Sequence, residues 1–90
     1  MQSSERVDRV TETIVVRYWA GARAAAGVDD ERVPAVPTVG ELTDLLVAAH
    51  PALESVLPVC SVLVGGRASS GDDPVPTGVV VEILPPFAGG

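Results

Sequence analysis

Apolar positions alternate with polar ones along Thr13-Ile14-Val15-Val16-Arg17-Tyr18-Trp19, a β-branched and aromatic run that predicts a strand. Its two faces are Ile14/Val16/Tyr18 and Val15/Arg17/Trp19. Arg17 turns the second face toward solvent, which leaves Trp19 beside solvent or a partner. Residues 1–12 ahead of it are polar without a clear period and read as a flexible N-terminal tail. Ala20 to Ala26 favours a short helix, and Gly27 is placed to cap its C-terminus. Val28-Asp29-Asp30 reads as a turn into a short strand, Glu31 to Val36, with Pro34 marking a sheet edge.

The period then changes. Thr38-Val39-Gly40-Glu41 has capping-box spacing, a hydroxyl at the N-cap and a carboxylate three residues on. Behind it Val39, Leu42, Leu45, Leu46 and Ala49 form one apolar stripe, the principal helix. His50-Pro51 ends this helix, because a residue before proline avoids the α region. Leu53, Val56 and Leu57 suggest one more helical turn, closed by Pro58. Val59 to Val64 is the next strand, turned by Gly65-Gly66 into a short return at Arg67 to Ser69. Ser70 to Gly78 has loop composition throughout, and Val79 to Leu84 is a last, β-branched strand. The order gives an α+β fold, a mixed sheet crossed by one principal helix. Residues 13–86 form its domain, and 87–90 an extended C-terminal tail.

Ninety residues, 47% of them apolar, provide for one small core. A net charge of −6 disfavours nucleic acid and anionic membrane surfaces as partners. One cysteine and one histidine cannot build a disulfide framework or a zinc site. No secretory signal or membrane-length apolar run is visible, so a cytoplasmic location is expected.

The last six residues are the most informative. Pro85-Pro86 removes two amide donors, so the ladder of the final strand must stop there. The pair favours a stiff extended geometry that projects the following residues away from the sheet. Gly89-Gly90 lacks Cβ atoms, so it can thread a narrow passage and lets a nucleotide approach the terminal carbonyl. A terminal carboxylate, with a pKa of about 3.3–3.7, is a poor acyl donor near neutrality. Adenylation by ATP converts one oxygen into a leaving group, and sulfide transfer would then leave a thiocarboxylate. All six basic residues are arginine, so such a chain has no ε-amine to acylate; an arginine-biased genome accounts for that composition equally well.

On these residues the sequence resembles the MoaD family of sulfur carriers, the small subunits of molybdopterin synthase, and their relative ThiS. The matching features are Val16-Arg17-Tyr18-Trp19-Ala20 with Ala22-Arg23 and Gly27, Thr38-Val39-Gly40-Glu41-Leu42, and Leu84-Pro85-Pro86-Phe87-Ala88-Gly89-Gly90. Gly65 stands where the family often has Asn, and Thr77-Gly78-Val79-Val80 stands in place of an acidic run. These departures leave open which sulfur pathway is served. The resemblance implies a ubiquitin-like β-grasp fold with first and last strands adjacent. It implies that an E1-like, MoeB-like adenylyltransferase activates Gly90 with ATP and that a sulfur donor makes the thiocarboxylate. Sulfur would pass to cyclic pyranopterin monophosphate inside a MoaE-like large subunit, in a heterotetramer whose catalytic side chains lie on that subunit. No cofactor or metal would be bound permanently. Gly90 and Gly89 would carry the chemistry, and Trp19, Leu84, Pro85, Pro86, Phe87, Ala88 and Arg23 would meet the partner. Carriers for thiamine or cysteine synthesis, a ubiquitin-like protein modifier, and an interaction domain with an inert tail are the alternatives.

The remaining candidates have plain readings. Cys60 is expected as a small hydrophobe in an apolar strand, and His50 as a helix-closing residue suited to the dipole. Asp29-Asp30-Glu31 and Asp72-Asp73 read as solvated turns, and Arg23 as a partner contact or a solvated helix residue. No Ser/His/Asp, Walker or Rossmann pattern is present.

Overall fold

The computed structural model describes residues 12–86. The elements are β1 (Thr13–Tyr18), α1 (Ala20–Ala26), β2 (Asp30–Pro34) and α2 (Val39–Ala49), followed by 3-10 turns at Pro51–Ser55 and Leu57–Val59. The chain continues through β3 (Ser61–Val64), β4 (Arg67–Ser69) and β5 (Val80–Leu84). One five-stranded sheet has the order β2-β1-β5-β3-β4. The first and last strands run parallel at its centre, with Val15 opposite Val80 and Tyr18 opposite Ile83. Every other pairing is antiparallel. This is the mixed β-grasp sheet that the resemblance implied.

Alternation sorts each strand onto two faces. Ile14, Val16 and Tyr18 of β1, Val81 and Ile83 of β5, and Val62 and Val64 of β3 are buried in one cluster with Val39, Leu42 and Leu46 of α2. Fully burying a Leu or Val side chain stabilises by about 1.5–3 kcal/mol, so this face holds the domain together. The helix boundaries follow their local chemistry. Thr38 Oγ1 accepts from the Glu41 amide at 3.2 Å at the start of α2. His50, ahead of Pro51, ends it. Gly65 and Gly66 at φ 57° and 86° make the tight turn between β3 and β4, a conformation most side chains resist.

The structure departs from the sequence reading in several places: β1 ends at Tyr18 rather than Trp19, and β5 begins at Val80 rather than Val79. β2 spans Asp30–Pro34, not 31–36, because its ladder with β1 ends where Thr13 meets Pro34. β3 begins at Ser61, not Val59. The amides of Val59 and Cys60 bond back to the carbonyls of Val56 and Leu57, which winds Leu57–Val59 into a 3-10 turn and leaves Val59 exposed. The segment read wholly as loop contributes to the core: Val75 is buried, its amide bonds to the Pro37 carbonyl, and Pro74 bridges to Thr38.

Candidate functional site

The region of interest is the end of the sheet at which β5 stops. Leu84, the last ladder residue, stands opposite Ser61. Pro85 and Pro86 follow, and without amide hydrogens they cannot extend the pairing. Pro85 is half-buried and Pro86 exposed. Phe87, Ala88, Gly89 and Gly90, the tail read as the chemical end, lie outside the described residues, as does the N-terminal tail up to residue 11.

Trp19 reaches the same end from β1. Its amide donates to the Ile83 carbonyl at 3.1 Å, which extends the central parallel pairing by one bond. Its carbonyl then accepts from Ala22 and Arg23 and starts α1. The sharp turn between the two elements falls on Ala20 at φ 49°, a left-handed conformation that costs an L-residue roughly 1–2 kcal/mol. The indole is 44% exposed, as its place on the less buried face predicted. Arg23 projects from α1 with its Nε 3.7 Å from Asp29 Oδ1. Together with Arg17, Trp19 and Asp30, these two residues line a shallow hollow of about 180 Å³. The structure therefore brings Trp19 and Arg23 together, and places Trp19 beside the strand that leads into Leu84, Pro85 and Pro86.

One constellation escaped the sequence reading. Glu31 Oε2 accepts from the Tyr18 hydroxyl at 2.6 Å and lies 2.7 Å from His50 Nε2. An ionised carboxylate only accepts, so Nε2 carries the proton. The two rings meet edge to face, centroids 6.1 Å apart. Burial first, then the hydrogen bond and charge of Glu31, push the Tyr18 phenol far above its ordinary range. Glu31 is thus a structural anchor rather than part of a solvated turn. The network ties β1, β2 and the end of α2 together one residue before Trp19. Nothing in the spacing signals it, because the partners are 13 and 19 positions apart.

Cys60 sits outside the strand predicted for it. It is half-buried, its thiol donates to the Val56 carbonyl at 3.2 Å, and burial raises its pKa. Cys60 is among the residues lining a groove of about 440 Å³ between the start of α2 and β3–β4. That helix start offers no free donors to an anion at Val39 and Gly40, whose amides bond to the carbonyls of Asp73 and Gly71. Among the described residues no cluster of His, Cys, Asp or Glu could hold a metal ion, and no helix is long and apolar enough to cross a membrane.

The chain matches the ThiS family over residues 16–90. It belongs to that family. Known structures agree with the assignment. Small archaeal modifier protein 1 of Haloferax volcanii is 31% identical, with a TM-score of 0.78 over 87% of this chain and 99% of that one. A candidate molybdopterin converting factor, subunit 1, from Pyrococcus furiosus is 26% identical, with a TM-score of 0.77 over 84% of this chain and 99% of that one. The complex of subunits 1 and 2 of molybdopterin-converting factor from Helicobacter pylori shares the fold at 20% identity and a TM-score of 0.65, covering 87% and 99% of the two chains. No curated protein sequence matches the chain. This ThiS-family chain is a ubiquitin-like sulfur carrier of the MoaD/ThiS type.

Proposed function

We propose that this sulfur carrier acts as the small subunit of a molybdopterin synthase. Gly90 is adenylated by an E1-like enzyme using ATP, converted to a thiocarboxylate by a sulfur donor, and inserted into a MoaE-like large subunit. There it delivers sulfur to cyclic pyranopterin monophosphate. The observation that carries this reading is the ending of β5. A strand fixed at the sheet's centre stops at Leu84 and gives way to two prolines, at the end of the sheet where Trp19 is exposed. A stiff exit beside an exposed indole suits a reaction in which the tail is threaded into a partner while the domain body docks against it. Trp19, Leu84, Pro85 and Pro86, with Arg23 nearby, supply that contact, and Phe87, Ala88 and Gly89 complete the inserted tail. Gly90 offers no side chain to obstruct adenylation. The work takes place in the cytoplasm, where the nucleotide is available. The likeness to a chain named as molybdopterin converting factor subunit 1 supports this substrate.

A second reading is favoured by the 31% identity to a protein named as a small archaeal modifier: the same activated glycine is joined to amines of other proteins. Deletion of Gly90 tests the shared step. The truncated chain is expected to fold and bind the large subunit, yet to lose all support for molybdenum-cofactor synthesis. Retained synthesis would defeat the carrier reading, and adducts formed by wild type but not by the truncated chain, with neither supporting cofactor synthesis, would select the modifier.

A further inference from the structure

An activated acyl group is attacked by whatever nucleophile reaches it first. When a primary amine attacks an acyl-adenylate, a C–N bond forms and the acyl C–O bond to phosphate breaks. AMP leaves with the electron pair, the ammonium proton goes to water, and the resulting amide is permanent. Many copies loaded at once would link to one another unless their surfaces offered no such group.

This chain offers few durable side-chain acceptors on its domain body. It has no lysine, and its six arginines carry guanidinium groups that stay protonated and do not attack. Its one thiol, Cys60, is half-buried and donates a hydrogen bond to the Val56 carbonyl, which holds it as the thiol, whereas the thiolate is the attacking form. Its one phenol, Tyr18, is 2% exposed and donates to Glu31. The same carboxylate oxygen engages His50, whose side chain is 19% exposed. Attack by that imidazole would give only an acyl-imidazole, which water reopens.

We propose that the domain body is built to be loaded without side-chain acylation of its own kind: no side chain on the body of a second copy is a durable acceptor, and apart from water and α-amines the activated terminus passes to sulfide or to a different macromolecule. The proposal rests on the activated-terminus reading above. Its consequence for the modifier alternative is definite. Attached to a protein, this chain does not grow into copies linked through its side chains.

The test uses the full chain carrying a C-terminal thioester made by intein cleavage, which activates Gly90 whether or not cells do so. A failure here is therefore distinct from a failure of the carrier reading. Concentrated protein is held at mildly alkaline pH with and without ethanolamine, then read by denaturing gel and intact mass. Wild type is expected to show hydrolysis and, with ethanolamine, the small-amine adduct. Arg67→Lys, an exposed position on β4, is expected to accumulate at least about tenfold more copies linked through a side chain than wild type, with the linkage site mapped by proteolysis and mass, because an amine attacks the thioester and expels the thiolate. Arg32→Lys, exposed on the opposite edge strand, gives the same readout should the first variant not fold. Wild-type copies linked through a side chain such as Cys60 or Tyr18, at a rate matching the lysine variants, would overturn the proposal. So would folded lysine variants that stay unlinked while ethanolamine still captures the acyl group.

Discussion

The same strands present two faces with opposite characters. Under α2, Ile14, Val16, Val81 and Ile83 are wholly buried, and every side chain on that face of the central strands is apolar apart from the Tyr18 hydroxyl. On the open face the registered neighbours are Val15 with Val80 and Arg17 with Glu82, continued by Leu84 and Ser61. Apart from the Tyr18 hydroxyl the buried face has no polar group to satisfy, so its contribution is chiefly burial and its sequence is set by packing. The open face mixes aliphatic and charged groups, as surfaces used for reversible contacts do. Stability and the proposed recognition therefore fall on alternate residues of one ladder, and a substitution's effect depends on which parity it strikes.

The largest expected contrast is Leu46→Ala, which removes a wholly buried side chain from the contact between α2 and the sheet. It should cost about 2–5 kcal/mol in denaturant unfolding, enough to unfold part of the population. Val80→Ala on the open face should cost less than about 1 kcal/mol by the same measure. Equal losses at the two sites would erase the distinction.

A smaller effect tests the polar exception on the buried face. Tyr18→Phe removes the donor to Glu31 and should cost about 1–2 kcal/mol near neutral pH. Its pH dependence is more diagnostic. The folded chain holds the phenol neutral well above its ordinary value of 10.0, so the contribution is fully present below that pH. Above it the unfolded chain releases a proton that the folded chain keeps, and stability falls by up to about 1.4 kcal/mol per pH unit. Cys60, raised from 9.0, acts in the same direction but is present in both chains. Unfolding measured from pH 8 upward should thus show a steeper alkaline decline for wild type than for Tyr18→Phe. Parallel declines would contradict the network.

Trp19→Glu should have the smallest effect on folding, within about 0.5 kcal/mol, because the indole is 44% exposed and the bond to Ile83 uses the backbone. Association with the large subunit should nevertheless weaken at least tenfold by titration calorimetry, since an anion replaces an apolar anchor. Unchanged affinity would remove Trp19 from the contact surface.

Most of this architecture was legible along the chain because the signals were local. The stripe from Val39 to Leu46, the cap at Thr38 and the turn at Gly65-Gly66 each depend on neighbours within a few positions. Pro58 was read as the close of a helical turn, but the backward bonds that carry the turn through Val59 depended on geometry no spacing reveals. Val75 was hidden among prolines, aspartates and glycines, and only its docking against Pro37 shows why a valine stands there. Glu31 was masked by its acidic neighbours; its partners meet it only after β1, β2 and α2 have assembled. At the site, Trp19's exposure followed from strand parity, whereas its proximity to Arg23 required the left-handed turn at Ala20.

Sulfur on Gly90 is the centre of the account, and intact mass spectrometry of the chain isolated from its own cells addresses it most directly. A population in which one oxygen of the terminal glycine is replaced by sulfur, increased when the large subunit is depleted, is the predicted result. A terminal glycine that stays an ordinary carboxylate under that depletion, in cells actively making molybdenum cofactor, would contradict it.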